Sequence, residues 1–259
     1  MYWIIIFIIL LTACQQPTGE QVFQPDPVRM VLRPAGADTL AGEPGIDAVP
    51  TPENEPNKIQ IQWYRHHQIN NLDRFLVYRS ADPQGIKNYR VVGEVPANVS
   101  GKVDSVYYDT QDLSNNVRYY YYVTAVGHTG KESLPSDTVS YRLLEKAVKL
   151  SLNGNASVVS EPVMEFEWWI QSGNTPDQYI LRIERFVSAD FHPLAFVRMI
   201  RSNYQTPQTF RLEGNELKSL FPNGDYRWRI DCVGREDVVN QYFEGSESNW
   251  QLFKIRWND

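Results

Sequence analysis

Few side chains in this 259-residue chain are of types that could do chemistry, and their spacing is unhelpful. There are four histidines. His66 and His67 are adjacent, so on extended backbone their rings point to opposite sides and make a poor pair of metal ligands. They read as a solvated loop. His128 follows a β-type run at a turn and His192 sits beside Pro193; both read as exposed loop residues. Cys232 alternates in phase with Tyr226, Trp228 and Ile230, which predicts a buried, inert thiol, since a reactive one needs an electropositive, open setting. The acids are scattered and form no catalytic couple. A nucleophile elbow, a P-loop and an H-E-x-x-H helix are all missing. The expectation is a non-catalytic protein with no catalytic residues, no metal and no cofactor.

The other cysteine, Cys14, has a different setting. Met1 to Leu11 is apolar throughout. As a helix at 1.5 Å per residue the run would rise roughly 16 Å. A bilayer core is about 30 Å thick, so the run is too short to span and fits the apolar region of a secretory signal peptide. Met1-Tyr2-Trp3 supplies no Lys or Arg, leaving the terminal amine as the only positive charge there. Leu11-Thr12-Ala13-Cys14 resembles the lipobox of bacterial lipoproteins: an aliphatic residue, two small ones, then cysteine. The resemblance covers the first 14 residues. It implies removal of 1–13, acylation of Cys14 with fatty chains such as palmitate, and a membrane held through lipid alone, stably once two or more chains are attached. Gln15, where an Asp would mark inner-membrane retention in enterobacterial lipoproteins, points to the outer membrane of the cell envelope.

The elements that must carry the rest are β-strands. Net charge is −6, which argues against nucleic acid as a partner. Aromatics make up 13% of the chain, with 15 Tyr and 7 Trp, a composition suited to strands. Residues 15–57 hold 8 of the 16 prolines; Pro removes ladder donors and such a segment buries little, so it reads as loop and tether. Within it Val28-Arg29-Met30-Val31-Leu32 reads as a short first strand. From Lys58 onward short period-two runs alternate with turn signals. They are Lys58 to Trp63, Phe75 to Tyr78, Tyr89 to Val95, Ser105 to Tyr108, Val117 to Val126 and Thr138 to Leu143. A second set follows: Met164 to Trp168, Gln178 to Phe186, Ala195 to Ile200, Thr209 to Leu212, Tyr226 to Val233 and Trp250 to Ile255. Gly214 to Leu220 could form one helical turn.

The two sets repeat each other. Leu113, Tyr119, Tyr121, Val123, Ala125, Val126 and Gly127 are spaced as Leu220, Tyr226, Trp228, Ile230, Cys232, Val233 and Gly234 are. Trp63 lies 56 residues before Tyr119, and Trp168 lies 58 before Tyr226. This pattern resembles tandem fibronectin type III domains, well over 58–143 and more loosely over 148–257. The resemblance implies an all-β fold of two immunoglobulin-like sandwiches. It makes Trp63 and Trp168 core residues and pairs Leu113 with Tyr119 and Leu220 with Tyr226 as tyrosine corners. The second unit departs in a longer F–G segment, Arg235 to Asn249. The organisation expected is signal peptide 1–13, tether 14–27, a first domain 28–144 with a long Pro/Gly-rich insertion between strands A and B, and a second domain 147–259. So short a linker predicts a small fixed interface.

The outward phase of the strands differs between the units. In the first, Leu76, Tyr78, Tyr120 and Tyr122 share the outer face of the C–F sheet and form a candidate binding patch; the competing reading is cross-strand pairing that stabilises the sheet. In the second, Arg182, Glu184, Arg227, Arg229 and Asp231 read as cross-strand ion pairs on a solvated face. Asp38-Thr39-Leu40, Asp104-Ser105-Val106 and Asp137-Thr138-Val139 resemble the O-glycosylation motif of Bacteroidota. Asn98-Val99-Ser100 fits an N-glycan sequon, which a bacterial lipoprotein usually has no machinery to use. The function expected is a lipid-anchored envelope protein that engages an unknown envelope protein or glycan. The alternative is a carbohydrate-binding accessory of a polysaccharide-utilisation system, marked by coplanar exposed aromatics.

Overall fold

The computed structural model describes residues 23–31, 57–81, 88–100, 105–171, 176–234, 239 and 242–258. Residues 1–13, where a signal peptide is expected, Cys14 and most of the Pro/Gly-rich segment lie outside the described residues. The strands of the first half are β1 Ile59–Gln62, β2 Leu72–Ser80, β3 Arg90–Pro96, β4 Val106–Asp109, β5 Arg118–Gly127 and β6 Val139–Leu143. Those of the second are β7 Val148–Leu152, β8 Val158–Val159, β9 Val163–Trp169, β10 Gln178–Arg185, β11 Leu194–Arg201 and β12 Gln208–Glu213. The one-turn helix α1 Leu217–Leu220 follows, then β13 Gly224–Val233, β14 Tyr242–Glu247 and β15 Gln251–Ile255. The fold is all-β, in two tandem sandwiches.

The repeated residues explain each sandwich. Trp63 and Trp168 are 1% and 0% exposed. Trp63 packs against Phe75 at 5.2 Å between ring centroids, and Trp168 sits edge-on to Tyr179 at the same spacing. Tyr119 and Tyr226 tie their corners by hydroxyl bonds to nearby backbone. Tyr119 Oη accepts from Ser114 N at 2.8 Å and donates to Asp112 O at 3.2 Å. Tyr226 Oη donates to Pro222 O at 2.7 Å. Such a bond satisfies the hydroxyl while its ring stays in the core. The corners differ in one respect. Leu113 packs against the first core, but Leu220, expected to match it, is 52% exposed. The turn of α1 carries Leu217 into the second core instead, beside Phe221.

The first sandwich starts earlier than β1. Phe23 packs against its core, Val28 and Met30 are buried, and Met30 bridges Trp63. The stretch from Phe23 to Pro27, assigned to the tether by its composition, is thus laid along the sandwich. The backbone bonds Val31 N to Gln62 O and Tyr64 N to Arg29 O, both 2.9 Å, hold the following stretch in place.

The connection between the halves is built by β14. It lies in the F–G segment of the second unit, where no strand is expected from its Glu, Gly and Ser. It pairs antiparallel with β13 and parallel with β6, so that β11-β10-β13-β14-β6-β5-β2-β3 form one continuous sheet. In-register partners project to the same side of a sheet. Phe243 pairs with Tyr141 and Gly245 with Leu143, both in the first core; Glu244 pairs with Arg142 on the opposite side. Ser246, on the Glu244 side, pairs with Cys232 of the second core. The two cores therefore press on opposite faces of one sheet. Ile180 and Val233, on strands of the second half, accordingly belong to the first core.

An ionic knot closes this seam. Glu244, buried, accepts from both Arg118 and Arg142, the latter at 2.6 Å. Leu144 N donates to Gly245 O at 3.1 Å, and Ser246 Oγ donates to Glu145 O at the same distance. Glu244→Ala leaves two guanidinium groups facing each other, a loss of about 1.5–3 kcal/mol for charged hydrogen bonds. We expect calorimetry to show one unfolding transition for the parent chain and two for the variant; a single, unshifted transition would remove the knot from the account.

Candidate functional site

The tyrosine face of the first sandwich rests on register. On β2 and β5 alternate residues enter the core: Phe75, Val77, Tyr119, Tyr121 and Val123. Their neighbours Leu76, Tyr78, Tyr120 and Tyr122 take the other side, and Tyr78 stands directly opposite Tyr122. None of the four is fully exposed; each is half-buried. The rings cover one another. Tyr78 and Tyr122 stack at 4.6 Å with 17° between planes, and Tyr89 tilts onto Tyr122 at 4.6 Å. Tyr120 meets Tyr242 of β14 edge to face at 6.5 Å, and the Arg118 guanidinium lies 5.0 Å from the Tyr242 ring centroid. The patch thus runs from β3 to the seam, onto the side of the sheet that carries the second sandwich. Tyr89, Tyr242 and Arg118 extend it; Tyr89 begins an expected strand, but Tyr242 could only be added once β14 was known to pair with β6.

Polar anchors hold the face. Glu132 accepts from Tyr78 Oη at 2.8 Å and from Thr124 Oγ1 at 2.6 Å. Burial, then the Glu132 carboxylate, pushes the Tyr78 hydroxyl up to about 12, so it stays a protonated donor at neutral pH. Ser133 and Ser136 lie beyond Glu132; their Oγ atoms accept from Ala125 N and Val123 N at 3.0 and 2.9 Å and close the edge of β5.

The charged face of the second sandwich is not solvated as the mixed signs suggest. Arg182, Arg229 and Asp231 are 7%, 8% and 4% exposed. Arg229 reaches Asp231 at 2.9 Å through Nε and Glu247 of β14 through both terminal nitrogens. Arg227 pairs with Glu184 at 2.6 Å. The Trp250 ring lies 4.1 Å from the Arg227 guanidinium and 4.7 Å from that of Arg229. The ion pairs expected here exist, but they are buried: β14, alongside β13, supplies Glu247, and the Trp250 ring lies against both guanidinium groups. Period-two patterning shows that a face is polar, not that another element will lie on it.

The isolated groups are accounted for. His66 is buried, with Nε2 3.0 Å from Asp26 O and Nδ1 accepting from Gln68 N, while His67 is exposed and stacks on it at 5.0 Å. The loop reading holds for His67 alone. His128 is exposed and bonds Asn70 O; His192 is half-buried and bonds Ala189 O. No cluster of three His, Cys, Asp or Glu converges among the described residues, and no helix there is long and apolar enough to cross a membrane. Asp137 and Thr138 are exposed, as are Asn98 and Ser100; Asp38-Thr39-Leu40 and Asp104 lie outside the described residues.

Cys232 is buried and free, and burial raises its thiol to about 12. An unfolded cysteine titrates near about 8.5. The native state therefore resists ionising this thiol. Stability from this group is complete below about pH 8.5 and is lost as pH rises toward about 12. The native chain should give no reaction of Cys232 with a thiol reagent at pH 8 and one equivalent after denaturation. Rapid native labelling would contradict its placement.

No protein-family profile matches the chain, and no curated protein does. Among solved structures it is similar to the crystal structure of the chicken CNTN1 FN1–FN3 domains, at 13% identity and a TM-score of 0.35, over 90% of this chain and 68% of that one.

Proposed function

We propose that this is a non-catalytic, lipid-anchored protein of the cell envelope whose tandem fibronectin type III-like sandwiches present the tyrosine face to a protein partner. The observation that carries the reading is the strip of half-buried Tyr89, Tyr122, Tyr78, Leu76 and Tyr120 that runs to exposed Tyr242, with Arg118 at its end. Tyrosine and arginine dominate the energetics of protein contacts, and rings already packed together lose little freedom on binding. The same stacking speaks against the carbohydrate-binding alternative. A sugar ring needs an open, broad aromatic platform, and Tyr78 and Tyr122 each give one face to the other while Tyr89 tilts onto Tyr122. The Cys14 motif supports the anchor, with the outer membrane as its place.

Two measurements test this. A photo-crosslinking residue at Leu76 or Tyr120 should capture a discrete envelope protein in living cells, whereas one at Val158, 46% exposed on the second sandwich, should not. Adducts to glycan alone, or the same adducts from all three positions, would refute the protein-binding face. Cys14→Ser should move the chain from the membrane to the soluble fraction; a variant still fractionating with membranes would end the anchor claim.

A further inference from the structure

The stretch laid along the first sandwich makes a second site. Pro27 and Arg29 on one side and Tyr64, Arg65, His66 and His67 on the other enclose a cavity of about 390 Å³. Its walls are fixed. The backbone bond from Tyr64 N to Arg29 O joins the two sides. His66 is held through both ring nitrogens, and His67, stacked on it, is paired with Asp26 Oδ2 at 2.9 Å.

The charge inside is one-sided. Among the described residues no acid lines the cavity. Asp26 is not among the lining residues, and its carboxylate is engaged by His67 Nε2 at 2.9 Å and by Gln68 Nε2 at 3.0 Å. Arg29 lies over the Tyr64 ring at 4.1 Å. Stacking uses the face of a guanidinium and leaves its five in-plane donors available. Arg29 and Arg65 form no ion pair among the described residues, although both are exposed and the chain as a whole is acidic. Two guanidinium groups with no ion-pair partner among the described residues, one of them laid over an aromatic ring, are suited to an oxyanion, since their paired N–H groups match a carboxylate or phosphate.

We propose that this cavity binds an oxyanion, the carboxylate or phosphate group of a ligand, between Arg29 and Arg65. It is separate from the tyrosine face, and either can fail without the other. The test is equilibrium dialysis of the full chain in detergent against labelled inorganic phosphate, glucuronate and, as the neutral control, glucose. We expect saturable binding of phosphate, glucuronate or both, and none of glucose. Phosphate alone identifies a phosphorylated ligand, and glucuronate alone an acidic sugar. Arg65→Gln should weaken binding at least tenfold with its melting temperature unchanged, because the exposed side chain has no hydrogen bond or ion pair to lose among the described residues. Arg29→Gln should weaken binding as much, with the stack on Tyr64 lost as well, and Tyr64→Phe, which keeps the stack, should bind like the parent. Failure of both anions to bind, glucose binding as well as glucuronate, or undiminished binding by Arg65→Gln would each overturn the proposal.

Discussion

Asp109→Ala should lower the stability of the whole chain by about 3–5 kcal/mol, the range found when one partner of a buried ion pair is removed. Asp109 is 0% exposed and Arg79, its partner, 3%. Arg79 Nη1 donates to Asp109 Oδ2 at 2.7 Å, and Tyr121 Oη donates to the same oxygen at 2.8 Å. Gln111 N donates to Oδ1 at 3.0 Å. Losing the carboxylate strands a guanidinium, a hydroxyl and a backbone N–H together. The pair joins the large sheet, through β2 and β5, to the two-stranded sheet in which β4 pairs with β1. Asp109→Asn keeps the shape and removes the charge, so it should fall between parent and alanine. Arg79→Met with Asp109→Leu should recover most of the loss, because a buried pair exchanged for apolar groups of similar volume is often neutral. Denaturant titration measures all three, and a loss under about 1 kcal/mol for Asp109→Ala would show that the buried charge has another partner.

Arg79 also marks the limit of reading strands by alternation. It stands on the inward phase of β2 with Phe75 and Val77, so the pattern itself demands an internal acid, but nothing local says which one. Asp109 is 30 positions away at the end of a four-residue strand. The all-β class and the Trp and Tyr repeat are legible because large rings recur at matching spacings, and one ring type per strand is enough to set phase. The continuous sheet is not legible. β14 alternates Tyr242, Glu244 and Ser246 with Phe243, Gly245 and Glu247, two half-polar faces that read as loop. They are half-polar because each face is covered by a different sandwich. The same cause hides the burial of Arg182, Arg229 and Asp231, and it puts Tyr242 at the end of the candidate patch. Leu220 fails for a smaller reason: one helical turn moves the apolar position three residues back, to Leu217.

Trp63→Ala and Trp168→Ala should each cost about 3–5 kcal/mol, as truncations of buried tryptophan do. Each ring is fully enclosed in its own close-packed core, so its loss leaves a void that relaxes only in part. The two variants also report on how the halves are coupled. In independent domains, Trp63→Ala would melt the first sandwich early and leave the second unchanged. Here the first core contains Ile180, Val233 and Phe243, which sit on strands that also form the second sandwich. Loosening the first core therefore exposes apolar surface on β10, β13 and β14. The expected result is one transition shifted by similar amounts in both variants. In the background of Glu244→Ala the shifts should separate, Trp63→Ala lowering only the earlier transition. Independent melting of the two halves in the parent chain would mean that the parallel pair β6–β14 aligns the sandwiches without binding them energetically.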